Sequence, residues 1–345
     1  LIQSVEFQIV DDPYRVMSFI DDSTWVDGAT RFARTVRHEA PEGGAIVQAN
    51  ITLWDGTTVT LKNEYVHRLN QTTRIDCKER GIDTMEELQA LIDSGELRNE
   101  AAKAQDLDIL LDGSATYEGV LKLPELGGGV NEAVISLEGR GATIQGSIVV
   151  TGNFRGFLSG INFVKSDVSA KNSKDETVGL LCDGGELLTI NNCSLTGYDV
   201  ALESNETGFI SANGGNTFED NKIAIRIDCA KREWGNGNRT VHHSTFKNNG
   251  TAIQLLGLPQ YIPAFDFRVF AVDFLGNDVD IDAQGVNLPL YFYRNYFGDA
   301  DGKSRPPQLK NGYNVRTELR YALPLSKYPE GQQMLIIDPS VKRVS

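Results

Sequence analysis

Long apolar runs are absent from this chain: no stretch of about twenty apolar residues exists to span a bilayer as a helix. An excess of cations is absent too. Against 33 Lys and Arg stand 47 Asp and Glu, for a formal net charge of −14. Nucleic acid, whose phosphates need a basic surface, and insertion into a membrane are therefore excluded as expected partners. A highly anionic polysaccharide fits poorly unless a local basic patch receives it. Histidine is scarce, with only His38, His67, His242 and His243, which leaves little for a Ser–His–Asp arrangement. The four cysteines, Cys77, Cys182, Cys193 and Cys229, lack metal-ligand spacing. Buried free thiols are expected, with a Cys182–Cys193 disulfide as the alternative. The chain also has no HExxH, GxSxG or P-loop phrase.

What the chain does have is a repeat. Leu195-Thr-Gly-Tyr-Asp-Val-Ala-Leu202, Phe218-Glu-Asp-Asn-Lys-Ile-Ala-Ile225, Phe246-Lys-Asn-Asn-Gly-Thr-Ala-Ile253 and Phe274-Leu-Gly-Asn-Asp-Val-Asp-Ile281 share one eight-residue pattern, starting 23, 28 and 28 residues apart. A period of this size marks a solenoid. The first residue is large and apolar, and the sixth and eighth are mostly aliphatic. The fourth is asparagine in three copies, Asn221, Asn249 and Asn277, a residue that suits tight turns. Counting from the first residue, positions minus seven and minus five add further apolar pairs: Leu188 and Ile190, Phe267 and Val269, Leu290 and Phe292. Three short strands per coil follow, with inward pairs at minus seven and minus five, minus two and zero, and plus five and plus seven. That is the pattern of a parallel β-helix, whose coils bury one another. Two irregularities stand out. Arg239 falls at a minus-seven position, and the coil before Phe218 holds one extra residue.

Leu187-Leu-Thr-Ile-Asn-Asn-Cys-Ser-Leu195, Asn216-Thr-Phe-Glu-Asp-Asn221, Ser244-Thr-Phe-Lys-Asn-Asn249 and the closing Asn295-Tyr-Phe-Gly-Asp-Ala-Asp-Gly302 resemble the right-handed parallel β-helix proteins of pectate-lyase type, including secreted and cell-surface bacterial members. The resemblance covers residues 105–302. It implies an all-β, three-sided right-handed solenoid and export of the protein. It does not imply an activity, because this fold hosts lyases, hydrolases, esterases and simple binding proteins. The paired aspartates of polygalacturonases and the Gln and Asp phrases of pectin methylesterases are missing. With Leu rather than Met at position 1, the chain reads as a mature or excised fragment.

Four segments are expected. Residues 1–75 read as a small β-rich module: Ser4 to Val10 alternates as a half-exposed strand does, and Ala49 to Tyr65 reads as a hairpin turning at Asp55-Gly56. Residues 76–104 read as a helical cap. There Thr84-Met-Glu-Glu87 forms a capping box ahead of Leu88, Leu91 and Ile92, and a second helical stretch runs from 96 to 104. Residues 105–302 are the β-helix. Residues 303–345 are a proline-punctuated tail, in which Met334 to Asp338 supplies one last strand.

Register also proposes a groove. Positions minus six and minus four face outward on the first strand of each coil, which aligns Thr240 and His242, Arg268 and Phe270, Tyr291 and Tyr293. Two consecutive loops are longer than their neighbours, spanning 21 residues (Ile225 to Phe246 and Ile253 to Phe274) rather than 16, and they carry Trp234 and Tyr261. Aromatics beside polar groups suit sugar rings, although the same rings serve equally to pack loops on the barrel. The expectation is an exported, non-catalytic protein binding a polysaccharide or cell-surface glycan, without a cofactor. The alternative is a polysaccharide lyase or glycoside hydrolase. A lyase of this fold needs a base beside calcium-binding carboxylates, which Arg268 with Asp266 could supply. A second acidic row, Asp278, Asp280 and Asp282, reads as a solvated face, with calcium binding as the alternative and Arg226 in register to offset part of its charge.

Overall fold

The computed structural model describes residues 2–9, 16–19, 23–26, 29–32, 45–53, 55–65, 73–94, 107–123, 135–151, 155–183, 187–205, 210–228, 239–257, 267–284, 290–293, 295–311, 315–316, 319–321 and 335–337. The chain divides into two compact units, Leu1–Asn70 and Gln71–Ser345.

The first unit is antiparallel. Strands Val16–Phe19, Ile2–Ile9, Ala45–Leu53 and Thr58–Tyr65 form one sheet in that order, and Ser23–Val26 pairs separately with Ala29–Phe32. The hairpin closes at Thr52↔Thr58. At its tip Gly56 has φ +85°, and the Asp55 carboxylate accepts from the Thr57 N–H at 2.9 Å. A left-handed residue at that point is what a tight hairpin requires.

The second unit is a parallel, solenoid-like stack of coils. It begins with Thr73–Asp76, which pairs in parallel with Leu107–Leu110, so the first coil starts well before residue 105. Asp76 caps the short helix Cys77–Arg80, accepting from the Lys78 and Glu79 N–H groups, and Gly81 ends it in the left-handed conformation. Helix Met85–Asp93 follows, with Thr84 and Glu87 closing a reciprocal capping box. Its buried residues Met85, Leu88, Leu91 and Ile92 join the main core cluster, so the helix covers the open end of the stack. The second helical stretch, 96–104, lies outside the described residues.

Two parallel sheets run the length of this unit. One contains the first strand of each coil, from Thr73–Asp76 through Leu187–Asn191, Arg239–His242 and Phe267–Phe270 to Leu290–Tyr293 and Val315–Arg316. The other contains the second and third strands. In the early coils these are one continuous strand, Thr143–Thr151, paired along its length with Thr116–Leu123. One coil later it splits into Asn162–Val164 and Val178–Asp183. Gly146 sits at the bend with φ +153°, and a Cβ there would lie 1.8 Å from the Gly119 carbonyl oxygen, so no other residue fits.

The core is continuous. Phe218, Phe246, Phe274 and Phe297 stack face to face, with ring centroids 4.8, 5.3 and 4.9 Å apart, close to the spacing of adjacent strands. Cys77, Cys182 and Cys193 are buried and in no disulfide; Cys229 lies outside the described residues.

Asparagine ladders hold the turns. Asn221 Oδ1 accepts from the Tyr198 N–H, Asn249 Oδ1 from the Asn221 N–H and Asn277 Oδ1 from the Asn249 N–H, all at 2.9–3.0 Å. Each Nδ2 donates in turn to the carbonyl of Leu195, Phe218 or Phe246. Each side chain thus satisfies turn groups that water cannot reach.

Several register expectations need correction. The plus-five residues Val200 and Ile223 form a satellite cluster with Val178, which pairs with Val200, and Leu181, apart from the main core. The small plus-six residues Ala201, Ala224 and Ala252 are in the core instead, beside plus-seven. A bend in the third strand brings both inward, and only a small side chain fits next to the turn. The extra residue before Phe218 is absorbed by Gly214 and Gly215, both left-handed at φ +72° and +68°, where neighbouring coils use a single such residue, Asn192, His243 or Ala271. Nor does the pattern stop at Gly302. Leu309–Lys310 pairs in parallel with Ile281–Asp282, and Val315–Arg316 with Leu290–Tyr291, adding part of another coil. Strand Leu335–Ile337 is real but pairs antiparallel with Leu319–Tyr321.

Candidate functional site

Parallel pairing brings alternate residues of successive first strands into rows. Thr240, Arg268, Tyr291 and Arg316 are consecutive partners in one row. His242, Phe270 and Tyr293 form the next. Strand spacing sets each step at about 4.8 Å. The His242 ring stacks on Phe270 with centroids 4.9 Å apart, and His243 meets Phe270 edge-on. Nδ1 of His242 lies 2.9 Å from Nδ1 of His243, so one ring donates and the other accepts. Phe270 is buried, while Thr240, His242 and Arg268 are half-buried. Backbone register thus puts positions 240, 268 and 291 in one row and positions 242, 270 and 293 in the next. Trp234, Tyr261 and Asp266 lie outside the described residues.

A second polar row runs along the outer side of the third strands: Leu181, Glu203, Arg226, Gln254, Asp282 and Lys310. Its centre is a buried ion cluster. Arg226 bonds Glu176 through both terminal nitrogens and Glu203 at 3.3 Å, while Asn172 Nδ2 donates to both carboxylates. Glu176 stands on the loop between second and third strands, so the cluster pins that loop to the sheet. The bond from Arg226 holds the Glu176 carboxyl down at about 2, against the burial that opposes ionisation. Burial works against the Arg226 charge too, but the bonds and charges of Glu176 and Glu203 outweigh it and raise its pKa. Arg226 thus serves these two glutamates; Gln254 stands between it and Asp282, bonded to Arg226 at 2.8 Å and to Asp282 at 3.5 Å.

The acidic row at the end of the stack is not a solvated face. Only Asp278 is exposed. Asp280 is 0% exposed and sits between the paired positions of Val279 and Ile281, in line with Ala252, Ala224 and Ala201 of earlier coils. Arg305 grips it at 2.6 and 2.8 Å, and the Gln308 N–H donates to it at 2.7 Å. Asp282 is 2% exposed and is met by Asn311 Nδ2 at 2.9 Å and Lys310 at 3.6 Å. Both carboxylates are matched by tail residues, and among the described residues no group of three or more His, Cys, Asp or Glu converges as a metal site.

The sequence reading also missed a second ladder. Asn216 Oδ1 accepts from the Cys193 N–H and Asn295 Oδ1 from the Val272 N–H, each at 3.0 Å, and their amides donate to Ile190 and Val269 carbonyls. The signal was present: Asn216, Ser244 and Asn295 each stand two residues before a core phenylalanine.

Comparison of the chain with protein-family models, with curated proteins and with solved structures finds no match.

Proposed function

We propose that this is an exported, non-catalytic glycan-binding protein built on a right-handed, three-sided parallel β-helix of the pectate-lyase type. The fold part of the reading is supported by the pairing of each strand with the strand three further along the chain. From Leu187 onward this holds through first, second and third strands alike. The resemblance alone motivates export.

The observation that carries the binding reading is the aligned run Thr240, Arg268 and Tyr291, flanked by His242, Phe270 and Tyr293. A guanidinium, a hydroxyl and rings repeated at strand spacing suit an extended chain of hydroxylated rings, which offers apolar C–H faces and polar edges in repeating order. Trp234 and Tyr261 belong to the proposal through their two long loops.

Glycan-array screening followed by titration of any hit tests the proposal. Tyr291→Ala and Trp234→Ala are each expected to weaken binding about tenfold without shifting the thermal midpoint. If both bind the identified glycan as tightly as the parent, the groove is elsewhere. Glycan cleavage that vanishes in Arg268→Ala while binding persists establishes the lyase alternative instead.

A further inference from the structure

Among the described residues, the hairpin strand Thr58–Tyr65 is an outer strand of the N-terminal sheet, paired on one side only. Residues 55–61 are all exposed, including two large apolar side chains, Val59 at 43% and Leu61 at 56%. Backbone register continues both positions across the sheet. Val59 pairs with Ile51, Ile51 with Val5 and Val5 with Phe19; Leu61 pairs with Ala49, Ala49 with Phe7 and Phe7 with Met17. The intervening row is Thr60, Asn50, Glu6 and Ser18.

An outer strand exposed from Thr58 to Leu61 offers a template for another strand. We infer that this edge pairs with the same edge of a second copy of the chain, antiparallel about a two-fold axis through Thr60. The residues of the strand favour this register. Antiparallel pairing about Thr60 sets Val59 against the second copy's Leu61 and Leu61 against its Val59, so both exposed apolar residues are covered. It places Thr58 opposite Lys62 and Gly56 opposite Glu64, so no like charges meet. Pairing about Lys62 would oppose two lysines directly, which is destabilising. A shift to odd register would put Val59 and Leu61 against polar positions. A two-fold contact of this kind is self-complementary and closes. Edge pairing alone buries less than the roughly 1,200 Å² of a standard interface, so the dimer is weak, with a dissociation constant on the order of 10–100 μM.

The full-length chain with Thr60→Cys, treated with copper phenanthroline, tests this. Opposed Cα atoms in antiparallel strands lie about 4.5–5.5 Å apart, within disulfide range. Thr58→Cys is the control, because its two copies stand four residues apart along the pair, about 14 Å. The described native cysteines are buried and in no disulfide, and the parent chain measures any background. A covalent dimer from Thr60→Cys and little from Thr58→Cys is expected. Sedimentation equilibrium of the parent should show a dimer that Leu61→Lys weakens at least tenfold; Leu61 is exposed, so folding is not at stake. A parent that stays monomeric to about 0.5 mM, or equal cross-linking at positions 58 and 60, overturns the inference.

Discussion

Replacing Arg305 with alanine would leave Asp280 as a buried carboxylate without a cation. Asp280 is 0% exposed, and after the change its partners are the Gln308 N–H at 2.7 Å and Asn277 Nδ2 at 3.4 Å. Removing one member of a buried pair costs about 3–5 kcal/mol. Asp280→Ala removes the same pair but leaves Arg305 partly solvated, at 16% side-chain exposure, and strands the Gln308 N–H, for about 2–3 kcal/mol. The double variant is the informative one. Ala201, Ala224 and Ala252 already occupy this position in earlier coils, so alanine at 280 restores the repeat. With no buried charge left, the double loss should be only about 1–2 kcal/mol, giving a coupling of about 3 kcal/mol or more. Because the pair ties the tail to the last full coil, the loss will appear as local opening. Hydrogen exchange in peptides covering 277–284 and 305–311 reads it. The Asp280 and Ile281 N–H groups donate to the Gln308 carbonyl, and their protection should drop by roughly two to three orders of magnitude in Arg305→Ala and largely return in the double variant. Additive effects, with coupling below about 1 kcal/mol, would refute the account of Asp280 as a charge held in place by the tail.

Three further outcomes follow from the coils. Phe274→Ala, in the middle of the stack between Phe246 and Phe297, should cost about 3–5 kcal/mol by urea unfolding; an unchanged midpoint contradicts the stack. Asn249→Ala strips the acceptor from the Asn221 N–H and the donor from the Phe218 carbonyl, and about 2–4 kcal/mol should be lost; a change below about 0.5 kcal/mol means water replaces the amide. Glu176 has a folded pKa near 2 against an ordinary 4.5, so its stabilisation is complete above pH 4.5 and disappears as pH falls from there toward 2. Parent and Glu176→Gln stabilities should therefore differ by about 1–2 kcal/mol at pH 6 and converge near pH 2; a constant gap excludes the ionised Glu176–Arg226 pair as its source.

Much of the second unit is legible in the chain because a solenoid writes the same position again in every coil. Phe218, Phe246 and Phe274 declare an inward row by repetition, and Asn221, Asn249 and Asn277 declare a ladder. The second ladder was hidden because its row is chemically mixed: Cys193, Asn216, Ser244, Val272, Asn295. A ladder asparagine serves the backbone of the preceding coil, and that backbone is indifferent to its own side chain, so Cys193 and Val272 receive bonds without contributing to the pattern. At plus-five and plus-six, aliphatic character does not mark the main core. At the bend beside the turn, size decides instead, and alanine is the residue that fits. The backbone row of Thr240, Arg268 and Tyr291 follows from register alone, whereas the two long loops carry no repeat. The ion clusters depend on pairs 23 to 50 residues apart that each occur once. Periodicity has nothing to say about a contact made once.

The ends of the stack explain why its polar chemistry changes character there. Within the coils, each turn amide is served by a neutral asparagine from the next coil, and neutral groups suffice because the pattern supplies a partner at every step. At the last full coil that supply runs out. Asn277 has no following asparagine in its row; Arg305 from the tail donates to its carbonyl at 3.2 Å and simultaneously neutralises Asp280, which occupies the alanine position. A carboxylate there would be intolerable in mid-stack, where the next coil would bury it against apolar neighbours. At the terminus it provides the charge that draws a guanidinium across the open end and orders the chain up to Lys310, whose strand then covers Ile281 and Asp282. The first coil reaches the same end differently, with the apolar face of helix Met85–Asp93. Among the described residues, one end is thus covered by an apolar helix face and the other is tied down by a buried ion pair, and only the second should be sensitive to the single-site charge substitutions above.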